Sequence, residues 1–340
     1  MTERSVLQPG RAQRRAAQTR MRRRRRRRRR TLLSLLTLAL AVGALLVLMA
    51  AQATGPARPR HPLHGLPVVH NRPPAPPVYG VQPAPASERV SIKRLQLGLR
   101  SGLLFDVDTG RVLWQRHPDA IAPIASLTKM MTALLVATHT KPDDRARITS
   151  AATHFTGSGV GMLPPGKEVP VSTLLYGLLL PSGNDAAIAL AQHVAGDQFR
   201  FVAMMNRTAT EMGLTCTHFS SVSGVVDRGN YSCVRDLAAL AHAVLRQPLL
   251  ARIVGSRSAV IPFPVKGGKL YLYNNNPLLL MRYPGADGVK TGYTQASGQC
   301  LVATARRGGA WLGVVLVRSG NAADQAQQLL NAGFAKFRTL

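Results

Sequence analysis

Acidic residues are scarce in this chain. Asp and Glu together number 15 among 340 residues, against 44 Lys and Arg, so the formal net charge at pH 7 is +29. Much of this excess is local, because residues 1–30 contain 14 arginines and a single acidic residue. The same residues contain no aromatic side chain, whereas nucleic-acid-binding segments place aromatic or polar groups among their charges. No nucleic acid is therefore expected as a partner.

Metal-binding patterns are also missing. The chain has nine histidines, but no pair has the His-x-x-x-His spacing that places two ligands on one helix face. We therefore expect no metal and no cofactor, and interpret His154, His218 and His242 as structural. Three cysteines allow at most one internal disulfide.

The N-terminal region contains a long apolar run. Residues 32–51 carry no charge, and as a helix they would cross a hydrocarbon layer of about 30 Å. Arginines before such a segment stay in the cytoplasm, so the rest of the chain is expected outside it. Residues 31–53 are interpreted either as a membrane anchor or, because Ala51-Gln52-Ala53 suits signal peptidase, as a cleaved signal peptide.

Strand-like patterns occur at both ends of the remaining sequence, and helical patterns lie between them. Residues 101–115 and 300–317 each contain two apolar runs around a turn signal, which predicts two β-hairpins. Apolar residues recur with helical spacing in six segments, which are residues 126–138, 171–180, 184–195, 199–212, 235–245 and 321–334. This order predicts an α/β domain whose sheet contains both ends of the region.

Three motifs that carry chemistry follow one another along the chain, namely Ser126-Leu127-Thr128-Lys129, Ser182-Gly183-Asn184 and Lys290-Thr291-Gly292. At this chain's own residue frequencies their joint occurrence by chance is roughly one in a thousand. The combination therefore indicates an active site that no single motif would establish.

Ser126 and Lys129 lie three residues apart near the start of a predicted helix, so their side chains share one face. A serine hydroxyl needs a base before it attacks an amide. A lysine amine acts as that base only when burial and a nearby positive charge lower its pKa. Lys290 is the candidate neighbour. The pattern thus predicts Ser126 as nucleophile and Lys129 as general base.

The third motif has the features of an exposed strand beside a substrate. Lys290 and Thr291 would face the substrate, and Gly292 provides a small residue where a substrate backbone must approach closely.

A second Ser-Gly-Asn triplet, Ser319-Gly320-Asn321, competes with the first. The triplet at Ser182 is chosen because it lies between the other motifs, at a loop-to-helix junction. The later triplet is expected to cap the last helix.

With these motifs the chain resembles the serine D-alanyl-D-alanine carboxypeptidases, the low-molecular-weight penicillin-binding proteins of peptidase family S11. The likeness extends from the Asp106-to-Gly110 turn through Asp287-Gly288-Val289 to Gly333-Phe334 and covers about residues 88–340. It implies a fold of the β-lactamase and transpeptidase type, an α/β fold with an antiparallel sheet flanked by helices and an all-helical lobe.

The resemblance also implies residue roles. Ser182 would relay a proton between the lysines and the leaving nitrogen, and Asn184 would bind the peptide carbonyl of the substrate. Lys290 and Thr291 would engage its terminal carboxylate. The backbone N–H groups of Ser126 and Tyr293 would form the oxyanion hole.

The expected function is that of a serine D,D-carboxypeptidase. It would remove the terminal D-alanine from peptidoglycan stem peptides through an acyl-enzyme, and β-lactams would acylate the same serine. The chain lacks the C-terminal β domain of many relatives, so a D,D-endopeptidase is an alternative. A non-catalytic penicillin-binding envelope protein is another, and a β-lactamase is disfavoured because no glutamate-bearing loop of the class A type follows Ser182.

The expected organisation has four parts in an enzyme of the cell envelope. They are a cytoplasmic arginine-rich region at 1–30, the signal or anchor at 31–53, a proline-rich spacer at 54–87 and the catalytic domain at 88–340. The membrane is a partner only if residues 31–53 stay uncleaved.

Cys216 and Cys233 are the favoured disulfide pair. They flank residues 217–232 and replace polar residues that family members often carry there, which is simpler to understand as one linked change. Cys300 would then be a buried free thiol. Three free thiols remain an alternative.

Overall fold

The computed structural model describes residues 80–92, 97–161, 163–264 and 268–337. These residues belong to one compact unit, residues 73–340. The expected N-region at 1–30, the signal or anchor at 31–53 and residues 54–79 of the expected spacer at 54–87 lie outside them and stay predictions. Within the described ranges no single helix is long and apolar enough to cross a membrane, and only the sharply bent pair Val234–Leu245 and Pro248–Gly255 passes that test jointly.

A six-stranded sheet forms the centre of the described structure, with the strand order β1-β3-β2-β12-β11-β10. Its strands are β1 (Gln82–Pro83), β2 (Ser101–Asp106), β3 (Arg111–Arg116), β10 (Ala286–Thr294), β11 (Gly298–Arg307) and β12 (Ala310–Ser319). Both predicted hairpins are present, β2 with β3 and β11 with β12. The antiparallel pairing of β12 with β2 joins the two ends of the region, as predicted. The short β1 departs from this pattern, because it pairs with β3 in parallel.

Three two-stranded ribbons lie outside this sheet, β4 (Ala122–Pro123) with β7 (Tyr231–Ser232), β5 (Arg145–Arg147) with β6 (Glu168–Pro170), and β8 (Ser258–Pro262) with β9 (Lys269–Tyr273). The helices are α1 (Lys129–His139), α2 (Ser150–Thr153), α3 (Val171–Leu179), α4 (Asn184–Ala195), α5 (Gln198–Glu211), α6 (Val234–Leu245), α7 (Pro248–Gly255), α8 (Pro277–Leu280) and α9 (Ala322–Phe337).

All six predicted helices are present, with one correction at a helix start. The apolar spacing predicted a helix from Ser126, but residues Ala125–Thr128 form a 3-10 turn and α1 begins at Lys129. The physical reason is the hydrogen-bond pattern, since Leu127 N donates to Ile124 O and Lys129 N donates to Ser126 O, each three residues back. The helices α2, α7 and α8, of eight residues or fewer, carried too little periodic signal to be predicted.

The sheet buries residues on both faces, because side chains alternate along each strand. Leu103 and Phe105 of β2 face the cluster that contains α1 and the helical lobe. Leu104 faces the opposite cluster with Phe334 of α9. At one edge of this doubly covered sheet lies β10, next to the turn that carries Ser126.

Candidate active site

Ser126 occupies a tight turn that fixes its position. The hydroxyl Oγ1 of Thr128 donates to the carbonyl of Ala125 at 2.8 Å, and Leu127 N donates to Ile124 O at 3.1 Å. Ala125, Leu127 and Thr128 are buried, and Ser126 is the one residue of the turn that stays partly exposed. The turn thus presents a single hydroxyl from a rigid backbone.

Lys129 lies directly beneath this hydroxyl at the start of α1, with no exposed surface. Its Nζ lies 2.9 Å from Ser126 Oγ, 2.7 Å from Asn184 Oδ1 and 2.8 Å from the backbone oxygen of Ser223. Burial lowers the pKa of Lys129 well below its usual value, and the charge of Lys290 lowers it further, against an opposing effect of Asp185. Both effects favour the neutral form of the amine.

A neutral amine has two hydrogens and one lone pair. Two of the three neighbours of Lys129, Asn184 Oδ1 and the oxygen of Ser223, can only accept hydrogen bonds. They take the two hydrogens, so the lone pair points to the hydroxyl of Ser126. This arrangement is the one that proton abstraction from Ser126 requires.

The second motif lies at the start of α4. Ser182 has a φ of +68° and is 5% exposed, and its Oγ has no hydrogen-bond partner among the described residues. Asn184 Oδ1 accepts from Lys129, while its Nδ2 donates to the carbonyl of Thr156. The Asn184 amide is thus engaged inside the protein, and its expected contact with a substrate carbonyl stays a prediction.

Asp185 holds the loop above the second motif. Its buried carboxylate accepts from the backbone N–H groups of Val160 at 2.9 Å, Gly161 at 3.0 Å and Ala186 at 2.8 Å. The loop that contains Ser158 is thereby tied to the first turn of α4. The sequence reasoning gave Asp185 no role, although it directly follows the second motif.

The third motif lies on the edge strand β10, as predicted. Lys290 is 2% exposed, its Nζ donates to the carbonyl of Thr291 at 2.9 Å, and burial lowers its pKa to about 7. At Gly292 a Cβ atom would lie 3.0 Å from Ile124 O and 3.1 Å from Ser126 N. Glycine at this position is what lets β10 pass so close to the Ser126 turn.

Residues of all three motifs line one cleft of about 510 Å³. Its lining residues are Ser126, Ser158, Ser182, Asn275, Pro277, Thr291, Gly292, Tyr293, Gln299, Cys300, Leu301, Asn321, Ala322 and Ala323. Five predicted site residues therefore line it, Ser126, Ser182, Thr291, Gly292 and Tyr293. Tyr293 is 70% exposed. The other three, Lys129, Asn184 and Lys290, are buried and not among the lining residues.

The later Ser-Gly-Asn triplet caps a helix, as expected. Asn321 Oδ1 accepts from Asp324 N at 3.3 Å at the start of α9, and Ser319 Oγ donates to Gln325 Oε1. Asn321 also lines the cleft, which the sequence reasoning did not anticipate.

The structure joins Cys216 and Cys233 in a disulfide, with their Cα atoms 5.6 Å apart. Cys300 is a buried free thiol, and burial raises its pKa to about 11, so it stays protonated. Across the described ranges, one group of side chains brings three possible metal ligands together, Asp119 with Cys216 and Cys233. Because its two sulfurs are bonded to each other, they do not provide thiolate ligands.

Ser223 is a further residue of the candidate site that sequence reasoning missed. Its contribution is a backbone oxygen, which any residue type supplies. A weak signal exists in Gly224, since a glycine inside a loop often marks a close backbone approach.

Comparison with known proteins places this geometry in a family. The model of the D-alanyl-D-alanine carboxypeptidase family, peptidase family S11, matches residues 88–320. D-alanyl-D-alanine carboxypeptidase DacF of Bacillus subtilis is 33% identical over 248 residues, covering 71% of this chain and 63% of the relative. DacB2 of Mycobacterium tuberculosis is 37% identical over 241 residues, covering 68% and 81%. The chain spans about 63% of the length of DacF and of Escherichia coli DacA.

Solved structures agree with the sequence matches. A mutant of a Streptomyces DD-transpeptidase superposes with a TM-score of 0.66 at 31% identity, covering 71% of this chain and 99% of that one. A D-alanyl-D-alanine carboxypeptidase from Mycobacterium tuberculosis gives a TM-score of 0.66 at 32% identity, covering 73% and 96%. The expected penicillin-binding α/β fold is thereby confirmed. With a buried lysine beneath a cleft serine, a family match over two thirds of its length and these structural neighbours, the chain belongs to the D-alanyl-D-alanine carboxypeptidase family, peptidase family S11.

Proposed function

We propose that this protein is a serine D,D-carboxypeptidase that removes the terminal D-alanine from peptidoglycan stem peptides through an acyl-enzyme at Ser126. The observation that carries the proposal is the contact between Lys129 and Ser126. A fully buried amine lies 2.9 Å from a hydroxyl that opens into a cleft, and both of its other neighbours are acceptors. This geometry is that of a base beside a nucleophile.

In the first step, Ser126 Oγ attacks the carbonyl carbon of the penultimate D-alanine while Lys129 takes its proton. The negative charge that develops on the carbonyl oxygen is stabilised by the backbone N–H groups of Ser126 and Tyr293. Gly292 supports this assignment, because the absence of a side chain there brings β10 next to Ser126 N.

Collapse of the tetrahedral intermediate breaks the peptide bond, and the leaving nitrogen needs a proton. Ser182 donates it and recovers one from the protonated Lys129. The buried Oγ of Ser182 supports this role, since it lines the cleft without a partner of its own. Water then attacks the acyl carbon while Lys129 takes one of its protons. The bond to Ser126 Oγ breaks, Lys129 returns the proton to that oxygen, and the shortened peptide leaves.

Substrate selection rests on the anionic end of the stem peptide. Lys290, when protonated, attracts the terminal carboxylate, and the hydroxyl of Thr291 donates to it. β-Lactams are cyclic amides whose carbonyl reaches the same position, so they are expected to acylate Ser126. The protein would act in the cell envelope, exported or anchored by residues 31–53.

The test is intact-mass spectrometry of the full-length protein with benzylpenicillin, alongside release of D-alanine from a stem pentapeptide. We expect a mass increase of one penicillin and release of D-alanine, both absent in Ser126→Ala. An adduct at Ser126 without D-alanine release would contradict the carboxypeptidase assignment and favour a D,D-endopeptidase. Absence of the adduct in folded protein would refute the acyl-enzyme.

A further inference from the structure

Residues 217–232, which the disulfide of Cys216 with Cys233 closes into a loop, pack against the candidate active site. We name them the disulfide-closed segment. Apart from β7 and an isolated bridge between His218 and Tyr231, this segment contains no regular strand or helix. Its conformation therefore depends on its contacts and on its covalent closure.

The first contact is with the proposed base. Two successive backbone oxygens of the segment accept hydrogen bonds from α1, that of Val222 from Thr132 Oγ1 at 2.6 Å and that of Ser223 from Lys129 Nζ at 2.8 Å. Thr132 and Lys129 lie three residues apart on one helix face. These two hydrogen bonds thus fix the position of the segment relative to the Lys129 amine that it orients.

The second contact is with the turn that carries the nucleophile. Gly224 has a φ of +76°, and a Cβ atom there would overlap the backbone oxygen of Ala125. Buried Asn230 donates from Nδ2 to Thr128 Oγ1 at 2.8 Å, and that hydroxyl donates to the same oxygen of Ala125. Both contacts converge on the peptide immediately before Ser126.

The third contact is with the substrate strand. Asp227 Oδ1 accepts from Thr294 Oγ1 at the end of β10, at 2.8 Å. The disulfide-closed segment therefore touches the base, the nucleophile turn and β10.

The base of the segment is fixed beside the disulfide. His218 and Tyr231 exchange two backbone hydrogen bonds of 2.9 Å. Asp236 Oδ2 accepts from Cys216 N at 2.8 Å and from Thr217 Oγ1 at 2.7 Å. Thr217 Oγ1 also lies 2.8 Å from Ser232 Oγ. Loss of the covalent link would leave only such non-covalent contacts to hold the two ends of a sixteen-residue loop together.

We propose that the disulfide-closed segment is a positioning element for acylation, which holds the Lys129 amine and the Ser126 turn in register with β10, and that the Cys216–Cys233 disulfide maintains this arrangement. The inference rests on the proposed function, because it assigns the segment a role in the attack by Ser126. A displacement of reacting groups by about 1 Å is enough to slow a reaction on the order of a hundredfold.

The test compares the full-length oxidised protein with the double variant Cys216→Ser/Cys233→Ser, using the second-order rate constant for acylation by benzylpenicillin. We expect at least a tenfold decrease in that constant in the double variant. Dithiothreitol should have the same effect on the wild type. It reduces the protein disulfide to two thiols and is itself oxidised to a cyclic disulfide. Dithiothreitol should not slow the double variant further, although Cys300 remains in it.

A pH profile separates positioning from general destabilisation. The charged groups that act on Lys129 are Lys290 on β10 and Asp185 on α4, and burial is the main cause of its lowered pKa. A loosened segment admits water, so the pKa of Lys129 should rise and the acid limb of acylation should move to higher pH. Arg228→Gln, an exposed position in the same segment, should leave both the rate and the profile unchanged.

Asn230→Ala provides a second variant should the double cysteine variant fail to fold, as monitored by thermal unfolding. It removes the bond to Thr128 and should also slow acylation tenfold. Equal acylation rates and equal pH profiles with and without the disulfide would overturn the inference while leaving the proposed function intact. Absence of the Ser126 adduct in the oxidised wild type would instead remove the proposed function, and the inference with it.

Discussion

Lys129 and Lys290 need opposite protonation states in the proposed reaction. Lys129 acts as a base only when neutral, and Lys290 attracts a carboxylate only when charged. Burial lowers both pKa values, that of Lys290 to about 7. The charge of Lys290 adds a second effect at Lys129, which favours the neutral form of the base beyond what burial does.

The dependence of carboxypeptidase activity on pH should follow from these lysines. As pH falls through the pKa of Lys129, kcat/KM should decrease because the base becomes protonated. As pH rises above about 7, KM for a stem pentapeptide should increase because Lys290 loses its charge. A peptide with an amidated C-terminus lacks the carboxylate, so its KM should not rise in that range. Steady-state kinetics with both peptides between pH 5 and 9 test this, and an equal rise in KM for both would contradict the role of Lys290.

Strand β10 and the Ser126 turn are held at a distance that only glycine permits. In the substitution Gly292→Ala the added methyl group would meet Ile124 O at 3.0 Å and Ser126 N at 3.1 Å. The two elements must then separate by a few tenths of an ångström or more. That movement would widen the gap between the two N–H groups of the proposed oxyanion hole.

We expect Gly292→Ala to slow acylation by benzylpenicillin by ten- to a hundredfold, with a loss of about 1–3 kcal/mol in the free energy of unfolding. Gly98→Ala is the matched control, since a Cβ atom at Gly98 would meet nothing within 4 Å. Stopped-flow acylation and chemical denaturation measure the two effects. If Gly292→Ala were acylated by benzylpenicillin at the wild-type rate, the close approach of β10 would not matter for the reaction.

The sequence predicted those parts of the site that depend on side-chain type and short spacing. Ser126 and Lys129 were predictable because three residues of helix-like backbone place them on one face, and the hairpins because apolar residues alternate around turn signals. The contribution of Ser223 was not predictable, since a backbone oxygen leaves no trace in residue type. The 3-10 turn at Ala125–Thr128 was missed because its backbone lies against Gly224 and Gly292, and such contacts between residues distant in sequence leave no trace in local periodicity.

For the whole molecule, the buried lysines are expected to make stability depend on pH. The pKa of Lys290 is about 7 in the folded protein and 10.5 when unfolded, so between these values the unfolded state binds more protons. Stability therefore rises with pH in that window and the penalty for burying the charge is fully present below it. We expect a gain of roughly 1–2 kcal/mol from Lys290 between pH 7 and 8.5.

Urea or guanidinium denaturation at several pH values measures this gain. Lys290→Met removes the titrating group and should flatten the increase in the unfolding free energy between pH 7 and 8.5. An equally steep increase in Lys290→Met would assign the dependence to other groups.

The pairing of β2 with β12 has a consequence for how the protein acquires its structure. Ser101 lies opposite Val317 in the central sheet, so this pairing cannot form until nearly the whole catalytic region has been synthesised. Contacts between such distant residues form slowly, because a long loop must close first. In a nascent chain the central sheet would thus stay incomplete until β12 has been made, and the cleft, which β10, β11 and α9 help to line, would assemble only then.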